Sequence, residues 1–287
     1  MNVSEIFHLA QSANSGGSGR GISFYSTAAT CGRRAVLQEI EKATAQLEAE
    51  EGVEELSGTG TGTAYHLLHE HCSSDGAWDA RDGAYTPNFI EALRLFRGWK
   101  AAWGSMEEKY GAEVLGSEVD IEDAGELFGA RVTGKIDKLI RIVNPAAAFA
   151  STGLHLMPGV YLVDYKALKS FGKNDELKYS SSLQGANYLA LYNKLHPEEP
   201  AVGMLFDIIL KHRELTRLPA YDSKGAVKKG PSFVHLLQTP GPRDVEKISA
   251  LVHIGSRNFN ENLANPSACI DFFSVCPFYS SGKCCGS

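Results

Sequence analysis

Residues 159–168 read Gly-Val-Tyr-Leu-Val-Asp-Tyr-Lys-Ala-Leu, a short run in which β-branched and aromatic residues predominate. A run of this composition and length predicts a buried strand of a central sheet. Side chains on a strand alternate between its two faces, so Asp164 and Lys166 project to the same side, together with Leu162. The opposite face carries Tyr161, Val163 and Tyr165. An acid and a base therefore stand side by side on an otherwise apolar strand.

The segments on either side of this strand predict an α/β core. Residues 129–143 alternate apolar and polar positions and predict an adjoining strand, and the apolar run 201–210 predicts another buried one. Helical spacing or helix-favouring composition marks four further segments, which are residues 33–51, 87–103, 181–195 and 244–263. The resulting order of helix, strands, helix, strand and helix is typical of an α/β domain.

Length and charge narrow the class of protein. With 287 residues, of which 43% are hydrophobic and 22% charged, one large domain is expected. No apolar run approaches the roughly 20 residues of a membrane-spanning helix, and the first 30 residues lack a secretory signal, so we expect a cytoplasmic protein without a membrane partner. The net charge of −6 argues against a protein that coats nucleic acid nonspecifically. It does not argue against a carboxylate site that binds divalent cations.

The pair Asp164 and Lys166 is suited to metal-dependent chemistry. Asp164 can bind a hard divalent cation, and Lys166 can stabilise an attacking water or the charge that develops on phosphorus. A surface ion pair is the alternative explanation. A hydrolytic metal site needs oxygen ligands from more than one element, and Asp137, in Gly134-Lys-Ile-Asp137, lies on the adjoining predicted strand.

Two helical segments supply further candidate ligands. His66 and Glu70 share a helix face at i and i+4, and a histidine ligand favours Mn²⁺ over the more oxygen-loving Mg²⁺. Gln184 and Tyr188 share a face of the helix predicted for residues 181–195, from which they could contact a phosphate or a metal-bound water.

The order of these motifs resembles the RecB-type branch of the PD-(D/E)XK nucleases across residues 25–285. The motifs are Gly-x-x-x-His, Gly-x-Ile-Asp, Val-Asp-Tyr-Lys and Gln-x-x-x-Tyr. The resemblance implies a restriction-endonuclease-like core, with a central mixed sheet flanked by helices, and a nuclease acting on DNA with Mg²⁺ or Mn²⁺. It implies that His66, Asp137 and Asp164 are metal ligands and that Lys166 is catalytic. Gln184 and Tyr188 match the supporting motif.

Six cysteines lie at positions 31, 72, 269, 276, 284 and 285, and four of them fall in the last nineteen residues. In a reducing compartment, clustered cysteines are more often metal ligands than disulfides. The resemblance extends to members with an iron-sulfur cluster, and it implies a [4Fe-4S] cluster on Cys31, Cys269, Cys276 and Cys284, with Cys285 as a substitute for Cys284. The chain would then be a single nuclease domain, residues 1–287, in which Cys31 and residues 265–287 form a cluster-binding module. Structural zinc and free thiols are the alternatives.

Three functions remain open on the sequence alone. The first is a DNA nuclease in recombination, repair or phage replication, with exonuclease action as the expectation and any helicase or recombination protein as a separate partner. The second is a non-catalytic iron-sulfur DNA-binding subunit of a recombination complex. The third is a zinc-dependent nucleotide or small-molecule hydrolase that uses the group His66, His69, His71 and Cys72.

Overall fold

The structure is a computed structural model, and it describes residues 21–39, 60–71, 87–168, 170–211, 233–261, 270–271 and 274–275. Its helices include α1 (Ile22–Thr30), α2 (Gly60–His71), α3 (Pro87–Trp103), α4 (Met106–Tyr110), α5 (Pro145–Thr152), α6 (Lys173–Ser180), α7 (Leu183–Leu195) and α8 (Asp244–Asn260). Residues 32–39 are also helical. The strands are β1 (Ala112–Asp123), β2 (Val132–Ile142), β3 (Gly159–Leu168), β4 (Ala201–Leu210), β5 (Phe233–Gln238), β6 (Ile270–Asp271) and β7 (Ser274–Val275).

Five strands form a mixed sheet in the order β1-β2-β3-β4-β5. Strand β2 runs antiparallel to both β1 and β3, β3 and β4 are parallel, and β5 is antiparallel to β4. The crossover from β3 to β4 passes through α6 and α7, because parallel neighbours cannot be joined by a tight turn. The strands β6 and β7 form a separate two-stranded antiparallel sheet.

Helices cover both faces of the sheet. One apolar core joins α2, α3 and α4 to the face that carries Tyr161, Val163 and Tyr165. The other joins α1, α7 and α8 to the face that carries Leu162. The alternation predicted for residues 159–168 is therefore confirmed, as is the α/β architecture with a central mixed sheet flanked by helices.

The strands predicted at residues 129–143, 159–168 and 201–210 and the helices predicted at residues 87–103, 181–195 and 244–263 agree with the structure to within a few residues. Residues 40–51 of the helix predicted for residues 33–51 lie outside the described residues. Strand β5 was not predicted, and neither was β1 at the opposite edge of the sheet. The sequence of β1, Ala-Glu-Val-Leu-Gly-Ser-Glu-Val-Asp-Ile-Glu-Asp, has many acids and no regular apolar alternation. An edge strand needs little apolar surface, because it has one neighbour and partly faces solvent. For that reason its sequence lacks the pattern by which a buried strand is found.

The two ends of the described chain pack together through α1 and α8. The Phe24 and Phe259 rings lie 4.9 Å apart between centroids, and the Asn258 side chain donates to the carbonyl oxygen of Ala29 at 3.0 Å. Cys31 follows α1 directly and is buried. The proposed single domain with a terminal cluster-binding module stays a prediction, since the last three proposed cluster cysteines lie outside the described residues. None of the described helices is long and apolar enough to cross a bilayer.

Candidate metal and catalytic site

The candidate site lies where β2 and β3 separate. Their pairing runs from Ile142 and Gly159 to Lys138 and Val163. The next residues along each strand are Asp137 and Asp164, and here the backbones are no longer paired. Instead, the Asp137 carboxylate accepts a hydrogen bond from the backbone N–H of Tyr165 at 2.7 Å. A side chain thus takes the place of the missing ladder bond and holds two buried acids beside each other.

Helix α2 brings His66 to this point. One ring nitrogen, Nδ1, lies 3.3 Å from Asp137 Oδ1, and the other, Nε2, lies 3.0 Å from the carbonyl oxygen of Tyr165. Both nitrogens face acceptors, which favours the doubly protonated ring. Burial alone would lower the pKa of His66, but the charge and hydrogen bond of Asp137 raise it to about 9. Without a cation, the imidazolium therefore provides the positive charge next to Asp137 at neutral pH, and a cation bound at His66 would replace one ring proton.

Asp164 is held by a lysine and an amide. Lys166 Nζ lies 2.6 Å from Asp164 Oδ2, and Gln184 donates from Nε2 to Asp164 Oδ1 at 3.2 Å. Gln184 Nε2 also lies 3.2 Å from the hydroxyl of Tyr188. Lys166 is the one partner of the buried Asp164 Oδ2 atom among the described residues. A carboxylate oxygen with a single partner keeps lone-pair capacity for a cation.

The pKa values of the two aspartates shift in opposite directions because their surroundings differ. Burial raises the pKa of Asp164 to about 6; Lys166 opposes this effect and Asp137 adds to it. Burial also works to raise the pKa of Asp137, but His66, Lys166 and the Tyr165 N–H together hold it below its ordinary value. A like-charged, buried pair of this kind is common where a protein binds a cation or performs acid-base chemistry.

The structure adds a residue that the sequence did not point to. One ligand atom each of His66, Asp137 and Glu118 all lie within 4.8 Å of one another, and this is the group of potential metal ligands found among the described residues. Glu118 lies on β1, a strand that was not predicted from the sequence. Asp164 is not part of this triad, and its carboxylate contacts Lys166 and Gln184 instead.

A cavity of about 230 Å³ adjoins the site on the side of α1. Its lining comes from residues 21–39, from β2 and from α7, and includes Gly21, Thr27, Thr133, Lys135, Gln184 and Tyr188. Gly134 explains how Tyr188 fits here, since a β-carbon at this position would lie 2.5 Å from the Tyr188 Cε1 atom. The Gly-x-Ile-Asp motif therefore needs its glycine so that the Tyr188 ring can lie against β2.

Behind the site, the other face of the sheet carries a buried ion pair. Asp207 is the register partner of Tyr165 in β4, and it accepts from Lys109 Nζ at 2.6 Å and from Trp99 Nε1 at 3.1 Å. Both members of the ion pair have fully buried side chains. This pair fastens the helices α3 and α4 to the strand next to the one that carries Asp164.

The alternative zinc site would need His66, His69, His71 and Cys72 to converge, and the two of these side chains that the structure describes, His66 and His69, have different partners. His66 faces Asp137, whereas the His69 ring stacks on the Tyr165 ring, with centroids 4.0 Å apart. Burial lowers the pKa of His69 well below its ordinary value, so this ring is neutral. The Cys72 residue and the His71 side chain lie outside the described part. His69 thus serves to seat α2 on β3.

The residues present fit a hard divalent cation. Asp137, Asp164 and the Tyr165 carbonyl offer oxygen, the ligand type that Mg²⁺ and Mn²⁺ prefer, and His66 offers a nitrogen suited to Mn²⁺. The six residues predicted from the sequence as ligands or catalytic groups therefore lie in one connected set, which consists of His66, Asp137, Asp164, Lys166, Gln184 and Tyr188.

Comparison with known proteins adds only a distant structural similarity. No family model and no curated protein matches this chain. The fold is similar to the crystal structure of a candidate exonuclease from Eubacterium rectale, with a TM-score of 0.45 and 15% sequence identity, over 88% of this chain and 85% of that chain. At this level the similarity carries no inference about the reaction, so the function has to be argued from the site itself.

Proposed function

We propose that this protein is a divalent-metal-dependent deoxyribonuclease that hydrolyses phosphodiester bonds with Asp137, Asp164 and Lys166. The observation that supports it most is the meeting of two buried carboxylates, a histidine and a lysine where β2 and β3 separate. Structural ion pairs rarely gather two buried acids at one point, because desolvation and mutual repulsion both oppose it. A bound cation would remove that cost.

In this proposal each residue has a distinct role. His66, Asp137 and Asp164 bind the cation. Gln184 orients the Asp164 carboxylate, and the Tyr165 N–H orients that of Asp137. The Lys166 side chain is about one-quarter exposed, so its ammonium group can reach a phosphate oxygen while it stays next to Asp164. A cation bound there would activate a water for in-line attack and stabilise charge on the leaving oxygen.

The proposed substrate is DNA, and the proposed action is that of an exonuclease in recombination, repair or phage replication. The cavity beside Gln184 and Tyr188 supports contact with a nucleotide next to the scissile phosphate, because it opens directly onto the residue that orients Asp164. Lys135 lines this cavity and is half exposed, which suits contact with a phosphate. A helicase or recombination protein would act as a separate partner.

The test compares cleavage of linear and covalently closed DNA by the full-length protein with Mg²⁺, with Mn²⁺ and with a chelator. Asp164→Asn keeps an oxygen for Gln184 and removes the charge, and Lys166→Met removes the ammonium group. We expect each variant to lose at least about a hundred-fold in rate. Glu113→Gln is the control, because Glu113 forms an exposed ion pair with Arg141 on the same sheet.

Three outcomes separate the hypotheses. Cleavage that needs metal, is confined to linear DNA and disappears in Asp164→Asn supports the exonuclease. Cleavage of covalently closed circles that also needs metal and Asp164 supports a nuclease, but one that acts as an endonuclease. A folded wild type that binds DNA and does not cleave it in either cation would refute the proposal and favour the non-catalytic DNA-binding subunit.

We further propose that Cys31 is one ligand of a [4Fe-4S] cluster completed by Cys269, Cys276 and Cys284 or Cys285. Cys31 is buried where α1 packs against the end of α8. That placement supports the proposal, because α8 ends only nine residues before Cys269. Iron and acid-labile sulfide analysis of anaerobically purified protein tests it. Cys31→Ser should lose both elements and Cys72→Ser should keep them, whereas zinc without iron would contradict the cluster.

A further inference from the structure

Glu118 lies opposite Asp137 in an unusual backbone conformation. In the antiparallel register of β1 and β2, Ser117 pairs with Lys138 and Val119 with Ile136, so Glu118 stands across from Asp137. Its φ is 49°, which makes it the one non-glycine residue with positive φ in the described part of the chain. This conformation is unfavourable for a side chain with a β-carbon. It breaks the regular pairing and turns the carboxylate toward the candidate site.

The surroundings of Glu118 are rich in negative charge. Its carboxylate is within 4.8 Å of ligand atoms of both His66 and Asp137, and its side chain is mostly buried, with 19% exposed. Lys135 Nζ lies 3.4 Å from this carboxylate and is half exposed. The carboxylates of Glu118 and Asp137 lie close together, and a cation between them would reduce their mutual repulsion.

Two independent features point to a ligand at this place. The first is the convergence of one nitrogen and two carboxylates from three different elements, α2, β1 and β2, which is the donor set of a transition-metal ion. The second is the neighbouring Asp164 carboxylate, which is buried and whose Oδ2 atom has Lys166 as its one partner among the described residues.

We infer that Glu118 is a further ligand of the divalent cation and binds it together with His66 and Asp137, and this inference rests on the proposed nuclease function. The mixed nitrogen and carboxylate set favours Mn²⁺ over Mg²⁺. Strand β1 thereby contributes to the site, although none of the sequence motifs lies on it. The backbone conformation at residue 118 is kept because it places this carboxylate.

The experiment measures Mn²⁺ binding by calorimetry to the full-length protein, together with the melting temperature with and without Mn²⁺. Glu118→Gln has nearly the same shape and lacks the charge. We expect it to weaken Mn²⁺ binding at least ten-fold and to reduce the rise in melting temperature that Mn²⁺ produces, since ligand-induced stabilisation follows affinity. Glu113→Gln on the same strand should bind Mn²⁺ as the wild type does.

A second variant separates a ligand from a residue that only supports the fold. Glu118→Gly suits the positive φ, so without metal its melting temperature should equal or exceed that of the wild type. It should nevertheless lose Mn²⁺ affinity as Glu118→Gln does. A purely structural role predicts the opposite, a lower melting temperature and unchanged affinity.

The outcomes distinguish this inference from the proposed function. Unchanged Mn²⁺ affinity in both Glu118 variants, in a protein whose metal-dependent cleavage is abolished by Asp164→Asn, would overturn the role of Glu118 and leave the nuclease intact. A wild type that neither binds Mn²⁺ nor cleaves DNA would overturn both.

Discussion

The buried ion pair behind the site gives the sharpest prediction about stability. Lys109 and Asp207 have fully buried side chains and lie 2.6 Å apart. The ammonium group also lies 3.7 Å from the centre of the Trp103 ring. Burial works to raise the pKa of Asp207, but Lys109 and the nearby His235 hold it below its ordinary value. Lys109→Met keeps most of the length of the side chain and removes the charge that the aspartate needs.

The expected loss follows from leaving one charge without its partner. Removing one member of a buried ion pair costs about 3–5 kcal/mol. For a chain of this length, about 2 °C of melting temperature corresponds to 1 kcal/mol, so Lys109→Met should melt roughly 6–10 °C below the wild type. The urea midpoint should fall accordingly, with little change in the slope of the transition.

The pH dependence has a definite sign. Without Lys109, the largest influence that opposes burial is gone, so we expect the folded-state pKa of Asp207 to rise above its unfolded value. A raised carboxyl pKa gives stability that is present at low pH and is lost as the pH rises through the folded pKa. The deficit of Lys109→Met should therefore be smaller at about pH 5 than at about pH 8.

A double variant tests the cause of the loss. Asp207→Asn in the Lys109→Met background removes the unpaired charge and keeps an oxygen that can accept from Trp99 Nε1. It should recover most of the lost stability, measured by urea unfolding. The reasoning would be refuted by a Lys109→Met loss below about 1 kcal/mol, or by a double variant that is no more stable than Lys109→Met alone.

Two further predictions concern β1 and β2. Asp123 accepts from the backbone N–H groups of Leu127 and Phe128, and these bonds outweigh the effect of burial and lower its pKa. Asp123→Asn should therefore cost about 1–2 kcal/mol at neutral pH. Because the folded pKa is depressed, this difference should be present above the unfolded value of about 3.9 and shrink as the pH falls below it, which urea midpoints measured against pH will check. Gly134→Ala should displace the Tyr188 ring and reduce cleavage at least about ten-fold. In the control, Gly62→Ala, the added β-carbon meets no atom within 4 Å, so activity should be kept and stability raised by roughly 0.5–1 kcal/mol; equal activity in both variants would contradict the role given to Gly134.

Local sequence pattern was enough to predict much of the sheet and most of the candidate site. The alternation in residues 159–168 predicted which face carries Asp164, and the two cores confirm that assignment. The spacing of Gln184 and Tyr188 predicted a shared helix face, and the structure shows them in contact. These features depend on residues two to four positions apart, where the geometry of a strand or helix alone fixes the relation.

The contacts that turn these residues into a site depend on distant parts of the chain. His66 meets Asp137 across 71 positions, and Asp207, which looked like one polar residue in an apolar run, finds its partner Lys109 across 98. Neither contact can be predicted from the local spacing of residues, because strand register and helix packing decide which distant residues meet.

Glu118 shows most clearly what only the tertiary structure decided. Its strand lies at the edge of the sheet, so it did not need the apolar alternation by which strands are recognised. Its carboxylate reaches Asp137 only because β1 pairs with β2 in one register and because the backbone at residue 118 adopts a positive φ. The sequence by itself determined the acids and the basic residue on β2 and β3, whereas long-range pairing determined which further acid stands beside them.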